Sequence, residues 1–253
     1  MKNLVTGFLT ALSLVAAAPA LGADIWWPKG GEEVAYTMFA NGKKVGTSKI
    51  TFSEDDGNIV AVQDNRMQLE IGGGIDVVAR FVFREWWNGV GKDARFVKMT
   101  THGQAKAATE KRRFTLKAEP NGDGKLVVES PRLGDRVAPE GMQPSTFWHL
   151  NHILAYDVFD PFAGGFAELS FDNLGAQNIK FDEGEGECLR FDLHVKYKDR
   201  DQLGELPPGV DREQVPLEQT FKAWFEPDGL MCALVMNMPF GTVAMVREYR
   251  KTE

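Results

Sequence analysis

Residues 75–88 read Ile75-Asp76-Val77-Val78-Ala79-Arg80-Phe81-Val82-Phe83-Arg84-Glu85-Trp86-Trp87-Asn88, and apolar residues recur there at every second position. One face carries Ile75, Val77, Ala79, Phe81, Phe83 and Trp87, and Glu85 is its only polar member. Because successive side chains of a strand point to opposite faces, this pattern predicts a long strand with one face in a core. The other face mixes charged and apolar residues, which is typical of a sheet face that is partly covered or lines a cleft.

Segments with strand-like patterns, separated by turn residues, fill most of the remaining chain. Asn41-Gly42 is a strong hairpin signal because both residues accept positive φ angles, and further turns are indicated at 55–58, 121–124 and 227–229. The short connections favour an antiparallel meander of about ten strands. The sequence therefore predicts a mainly β fold with one large curled antiparallel sheet, of half-barrel or barrel-like form. A two-sheet β-sandwich is the alternative.

Two segments interrupt this pattern. Residues 145–159 place apolar side chains three and four positions apart, with Ser145 at the position of an N-cap, so we predict one short helix across the opening of the sheet. Residues 199–218 are rich in charge and contain Pro207-Pro208-Gly209. We predict that they form a polar surface insert within a single domain.

The N-terminus has the pattern of a secretory signal peptide. Lys2 precedes an apolar run at 4–18, and small residues follow up to Ala23. We expect residues 1–22 to be removed, which leaves 23–253 as one exported domain in the periplasm. No second long apolar segment is present, so we expect no membrane-spanning helix in the mature protein. The formal net charge of −7 argues against nucleic-acid binding, which needs clustered Lys and Arg.

The two cysteines, Cys188 and Cys232, leave two alternatives. In an oxidising compartment they can form a disulfide, or they can remain as two buried free thiols. Their positions along the two predicted strands place them on different faces, so a bond requires a bulge or an unusual register.

Five short motifs occur in a characteristic order along the chain. They are Asn41-Gly42-Lys43-Lys44-Val45-Gly46, Arg84-Glu85-Trp86-Trp87-Asn88-Gly89, Thr100-Thr101-His102-Gly103, Pro144-Ser145-Thr146-Phe147-Trp148 and Ala223-Trp224-Phe225-Glu226-Pro227-Asp228-Gly229. Together they resemble an uncharacterised family of exported bacterial domains of unknown function. The resemblance implies an architecture similar to the half-barrel lipoprotein and lipid carriers of the bacterial envelope, and it implies no catalytic residues. At this position of the family we expect Asn, so His149 departs from the family pattern.

Candidate catalytic or metal-binding groups are few. His149 and His152 are three residues apart, and Asp157 and Asp160 follow. They are the candidates for a metal site and for an alternative function, an envelope hydrolase that uses the His149/His152 region. Ser145 with a His and an Asp gives a hydrolytic alternative, but the chain lacks a GxSxG elbow. We interpret these side chains as structural polar residues, and we predict no catalytic residues, no metal and no cofactor.

Aromatic and methionine residues favour a binding protein. Methionine suits sites that adapt to varied apolar ligands. Four tryptophans and four methionines together exceed what a small core needs, namely Trp86, Trp87, Trp148, Trp224, Met231, Met236, Met238 and Met245. We therefore predict a non-enzymatic protein that binds a hydrophobic small molecule or lipid in a cleft of the curved sheet, with a scaffold for an envelope protein partner as the alternative. The predicted ligand-binding residues are Arg80, Arg84, Trp86, Trp148, His149 and Trp224.

Overall fold

The structure is a computed structural model that describes residues 25–71, 74–107, 110–181, 184–203, 211–238 and 241–251. The predicted signal peptide lies outside the described residues. Fifteen strands belong to one sheet. The strands are β1 Glu33–Ala40, β2 Lys43–Asp55, β3 Asn58–Ile71, β4 Ile75–Asn88, β5 Arg95–Ala107, β6 Glu110–Pro120, β7 Leu126–Ser130, β8 Gly134–Val137, β9 Gln143–Pro144, β10 Asp157–Phe159, β11 Phe166–Phe181, β12 Gly184–Tyr197, β13 Glu218–Phe225, β14 Met231–Met238 and β15 Gly241–Lys251.

The strand order is β8-β7-β6-β5-β4-β3-β2-β1-β15-β14-β13-β12-β11-β10-β9. Each half of the chain is thus a meander, and the antiparallel pairing of β1 with β15 joins the two halves. The β9–β10 pair is parallel. The sheet curls without closing into a complete barrel, which confirms the predicted fold class over the β-sandwich alternative. No helix among the described residues is long and apolar enough to cross a membrane.

The β1–β2 hairpin turns at the predicted Asn41-Gly42 pair. The two residues have φ angles of 49° and 78°, as a tight hairpin turn with positive φ at both central positions requires. Strand β4 has the predicted bounds and the predicted two faces. Val77, Ala79, Phe81, Phe83, Glu85 and Trp87 are buried, whereas the alternate residues are partly or fully exposed. We call the buried side of the sheet the inner face and the other side the outer face.

The prediction of a helix at 145–159 is wrong. The described chain contains no α-helix, and this segment holds only a five-residue 3-10 turn, Leu150–Leu154, followed by β10. Phe147 has a left-handed φ of 52° and His149 is extended. The Leu150 N–H donates to the carbonyl of Gly229, and the Met231 N–H donates to the carbonyl of Trp148. Backbone groups that a helix would need are therefore paired with the start of β14.

The segment 145–166 packs against the inner face of the curled sheet, apart from the exposed side chains of Leu154 and Tyr156. Phe162 packs edge-on against Phe81 and Phe83 of β4. The hydroxyl groups of Thr101 and Ser130 donate to backbone carbonyls of this segment, at 2.7 Å and 2.6 Å. The inner face of the sheet is thus covered by the chain itself.

The described part of the predicted insert bridges the two sheet halves where the sheet stays open. The side-chain oxygen of Gln202 accepts from Arg136 Nη1 of β8 at 2.6 Å and from the N–H of Phe166 of β11 at 3.1 Å. Arg132 donates to the carbonyl of Leu203 at 2.7 Å. The insert contains two 3-10 turns, Arg200–Gln202 and Arg212–Gln214. A fourth 3-10 turn, Gly91–Asp93, follows β4.

Cys188 and Cys232 form a disulfide in the structure. The register between β13 and β14 shifts at Trp224/Phe225, where Phe225 pairs with Met231 and Trp224 pairs with Ala233. This bulge leaves Cys232 unpaired in the ladder. A bond between these two residues was expected to require a bulge, and this bulge provides it. The disulfide joins β12 to β14 beyond the end of β13.

We predict that replacing both cysteines with serine lowers the free energy of unfolding by about 3–4 kcal/mol, because the cross-link closes a loop with a sequence separation of 44 residues and restricts the unfolded chain. Urea denaturation of the oxidised protein and the double variant measures this difference. An unchanged unfolding midpoint would show that the bond does not form in the purified protein.

Candidate functional site

The inner face carries a buried carboxylate at Glu85, which is 1% exposed. Its Oε2 atom accepts hydrogen bonds from the indole N–H of Trp87 at 2.9 Å and from that of Trp148 at 3.1 Å. The Nε2 atom of His152 lies 3.2 Å from the same oxygen. A buried charge needs such partners because burial removes its hydration. Glu85 therefore ties β4 to the 3-10 segment inside the sheet.

His152 is oriented by groups on both ring nitrogens. Nδ1 lies 3.0 Å from the carbonyl oxygen of His149, so Nδ1 carries a proton and donates it. Nε2 lies 3.0 Å from the hydroxyl of Thr146 and 3.2 Å from Glu85 Oε2. Nε2 of His152 thus faces both the Thr146 hydroxyl and the Glu85 carboxylate.

His149 attaches the N-terminal segment to the interior. Its Nε2–H donates to the carbonyl of Trp26 at 2.9 Å, and its Nδ1 accepts from the N–H of Asn151 at 3.2 Å. Trp27 packs edge-on against the imidazole, with ring centroids 5.1 Å apart. Burial lowers the pKa of His149 to about 3, although the hydrogen bond to Trp26 acts in the opposite direction. His149 is therefore neutral at physiological pH.

The predicted metal or hydrolase residues do not converge. Asp160 accepts a hydrogen bond from the N–H of Phe162 at 2.7 Å, and burial raises the pKa of its carboxyl. Asp157 is paired with Glu168 in the β10–β11 ladder. Ser145 donates its hydroxyl to the carbonyl of Phe159 instead of to an imidazole. Within the described ranges, no group of three or more His, Cys, Asp or Glu side chains is placed to hold a metal ion.

Arg80 lies on the outer face of β4. It makes a two-point contact with Asp64, in which Nε and Nη2 each donate over 2.9 Å. Arg66 donates to the same carboxylate at 2.8 Å. Burial acts to raise the pKa of Asp64, but the hydrogen bonds from Arg80 and Arg66 outweigh it and lower this pKa. One carboxylate is thus shared by two guanidinium groups, which leaves an excess of positive charge.

A groove of about 920 Å³ lies beside this pair. It follows the row in which Gly46, Met67, Ala79 and Ala105 are aligned across β2, β3, β4 and β5. The lining residues are Val45, Gly46, Thr47, Arg66, Met67, Gln68, Val78, Ala79, Arg80, Gln104, Ala105, Lys106 and Lys111. The residues on either side of the aligned row belong to the outer face, so we call this feature the outer groove.

Four cations line the outer groove, namely Arg66, Arg80, Lys106 and Lys111. Lys106 and Lys111 are exposed, and neither forms an ion pair with a described carboxylate. Val78 is 52% exposed between them and Gln68. The groove therefore combines exposed apolar surface with a positive rim, a combination that suits a ligand with an apolar body and an anionic end.

The six predicted ligand-binding residues occupy three separate places. Trp148 and His149 are fully buried in the interior, where protein groups satisfy their polar atoms. Arg80, Arg84 and Trp86 lie on the outer face of β4, but only Arg80 lines the outer groove.

Trp86 and Trp224 have similar surroundings in different halves of the sheet. The indole N–H of Trp86 donates to Asp55 at 2.9 Å, and the cations of Arg84 and Lys98 lie 5.8 Å and 4.6 Å from its ring centroid. Trp224, on β13, donates to Gln177 at 3.0 Å. The structure therefore does not bring Trp224 to the site around Arg80.

Sequence reasoning missed Arg66, Lys106 and Lys111 as neighbours of Arg80. Their alternation marks them as outer-face residues, but only the strand register shows that they share one groove. The sequence also showed Glu85 as the polar exception on the inner face of β4, without indicating its partners.

Comparisons with known proteins support the fold and assign no activity. A crystal structure of a beta-barrel-like protein of the domain of unknown function DUF1849 from Brucella abortus has a TM-score of 0.56 at 11% identity, covering 87% of this chain and 96% of that one. This likeness supports the barrel-like fold. A putative exported protein with a YmcC-like fold from Bacteroides fragilis has a TM-score of 0.36 at 10% identity, covering 90% and 100% of the two chains. A putative lipoprotein from Parabacteroides distasonis has a TM-score of 0.38 at 8% identity, covering 90% and 98%.

No curated protein matches the chain in sequence. One family model matches residues 36–203, and its description is a domain of unknown function, DUF6134.

We predict that Glu85→Ala lowers the free energy of unfolding by about 3–5 kcal/mol, because it leaves His152 and two indole donors buried without their acceptor. Glu85→Gln retains a carbonyl oxygen for the indoles and should cost less. Chemical denaturation measures both. The exposed Glu140→Ala serves as the control, and equal stabilities of Glu85→Ala and this control would refute the role of Glu85.

His149 should make stability depend on pH. The unfolded chain binds a proton at this residue below a pKa of about 6.5, whereas the folded protein binds it only near about 3. Stability therefore falls as the pH drops between these values, by about 2 kcal/mol from about pH 7 to about pH 4.5 for this group.

His149→Asn removes this titration, so we expect the variant to lose less stability than the wild type over the same pH interval. Thermal unfolding of both proteins across that interval measures the difference. Parallel pH profiles would contradict the assignment of a buried neutral imidazole.

Proposed function

The chain belongs to the DUF6134 family of domains of unknown function, and from this premise we propose that it is a non-enzymatic binding protein whose outer groove takes an amphipathic anionic molecule. The ligand class is a lipid or another hydrophobic molecule with an acidic headgroup. The observation that carries the proposal is the outer groove itself, in which four cations rim exposed apolar surface.

The charge of the groove differs in sign from that of the protein. The whole chain carries a formal net charge of −7, yet the described residues that line the groove include four cations and no carboxylate. Asp64 neutralises part of this charge from the side. A concentration of positive charge on an acidic protein favours an anionic ligand and accelerates its association.

The apolar surface of the groove supplies the driving force for the rest of the ligand. Val78, which is 52% exposed, supplies this surface together with the methylene stems of the lining lysines and arginines. The side chains of Met67, Ala79 and Ala105 turn to the inner face instead and pack on the core. Burial of apolar surface contributes about 25 cal/mol per Å² before the costs of association.

Binding fits the groove better than catalysis. Its described lining offers guanidinium, ammonium, amide and one threonine hydroxyl group, but no carboxylate, imidazole or thiol for general acid–base or nucleophilic chemistry. We further propose that the protein acts in the periplasm, on the basis of the signal-peptide pattern at residues 1–22.

Titration with a dansyl-labelled fatty acid below its critical micelle concentration tests the proposal. We expect saturable binding by the wild type and at least about tenfold weaker binding by the double variant Lys106→Glu/Lys111→Glu, which is about 1.4 kcal/mol. The matched control is Lys180→Glu/Lys222→Glu, which reverses two exposed lysines in the other half of the sheet.

An uncharged dansyl-labelled fatty alcohol should bind more weakly than the acid to the wild type. Equal binding by the groove variant and the control variant would overturn the assignment of the groove. Failure of the wild type to bind any acidic amphiphile would overturn the proposed function.

A further inference from the structure

The outer face of strands β3 to β6 is basic well beyond the outer groove. Alternation and register place eight Lys and Arg side chains on this face. They are Arg66, Arg80, Arg84, Lys98, Lys106, Lys111, Arg113 and Lys117. Neighbouring strands are about 4.8 Å apart, so these cations lie on a strip four strands wide. We call this strip the cationic face.

Carboxylates offset only part of this charge. Asp64 is shared by Arg66 and Arg80, and Glu119 pairs with Lys117. Glu70 and Asp76 are paired across β3 and β4, close to the turn that joins these strands. The cations that form no ion pair with a described carboxylate are Arg84, Lys98, Lys106, Lys111 and Arg113.

Apolar and aromatic side chains are interspersed among these cations. Trp86 is half-buried, with Lys98 and Arg84 stacked over its ring. Val78 is half-exposed, and Val82 is partly exposed in the same row of β4. Indole rings beside Lys and Arg are typical of surfaces that contact the headgroup region of a bilayer, where one part of the side chain is apolar and another is polar.

We propose that the cationic face docks on the surface of an anionic lipid bilayer. The unpaired cations contact lipid phosphates, and Trp86 and Val78 contact the boundary between headgroups and acyl chains. This inference goes beyond the proposed function, because a groove can bind a dispersed amphiphile without any bilayer contact. It also places the outer groove beside the membrane, where the groove takes up or delivers an acidic lipid.

The net charge of the protein makes the docking orientation specific. A chain with a formal charge of −7 is repelled overall by an anionic bilayer, and the cationic face reverses the sign of the interaction when it is turned towards the lipid. Attraction between surface charges decays over about 8–10 Å at physiological salt, so it acts only when this face is turned towards the bilayer. Binding should therefore weaken strongly as salt is added.

Co-sedimentation with vesicles tests the inference. The vesicles contain phosphatidylcholine with about one third phosphatidylglycerol, and pure phosphatidylcholine vesicles serve as the uncharged comparison. The test variant is Lys98→Glu/Arg113→Glu, since both residues belong to the cationic face but neither lines the outer groove. The control is again Lys180→Glu/Lys222→Glu.

We expect the wild type and the control to bind the anionic vesicles and the test variant to bind at least about tenfold more weakly. Binding of the wild type should be lost in about 0.5 M NaCl. The test variant should still bind the dispersed dansyl-labelled fatty acid like the wild type, which shows that it is folded and that the groove is intact.

The outcomes distinguish the docking inference from the groove proposal. Absence of wild-type vesicle binding, or equal binding by the test variant and the control, would overturn the docking inference and leave the groove proposal standing. Loss of fatty-acid binding only in Lys106→Glu/Lys111→Glu supports the groove independently. Competition of vesicle binding by single-stranded DNA at equal phosphate concentration would show a general polyanion surface and would overturn the assignment to lipid.

Discussion

The carboxylate of Glu85 is the interaction on which the interior of this protein depends. A single oxygen accepts from the indoles of Trp87 and Trp148 and faces the imidazole of His152, although all these side chains are buried. A buried carboxylate without these partners would destabilise the core by several kcal/mol. The segment that supplies two of the partners is therefore held against β4. His149, in the same segment, then fixes the chain at Trp26.

This arrangement gives the two faces of the sheet different roles. The inner face is covered by residues 145–166 of the same chain and by aromatic packing such as that of Phe162 on Phe81. The outer face keeps its charges and its grooves accessible to solvent. The structural likeness supports a barrel-like fold, and the family is a domain of unknown function. The proposals accordingly rest on the chemistry of the outer face.

The alternation in residues 75–88 predicted the central strand and its buried face correctly, because the side-chain period of a strand is local information. The helix prediction at 145–159 failed because its backbone groups pair with Gly229 and Met231, which are distant in sequence. For the same reason, the sequence identified Arg80 but not its groove neighbours Lys106 and Lys111. Their proximity follows from the register between strands, which the alternation alone does not determine.

Native mass spectrometry of the protein, purified without detergent from cells that express the full chain, tests the central claim most directly when the bound material is then extracted and identified. The account predicts a mass excess from an amphipathic molecule with an acidic headgroup, at near-stoichiometric amount, that disappears in Lys106→Glu/Lys111→Glu. A protein without a mass excess, or one that retains the same molecule in this variant, would contradict the claim that the outer groove is the binding site.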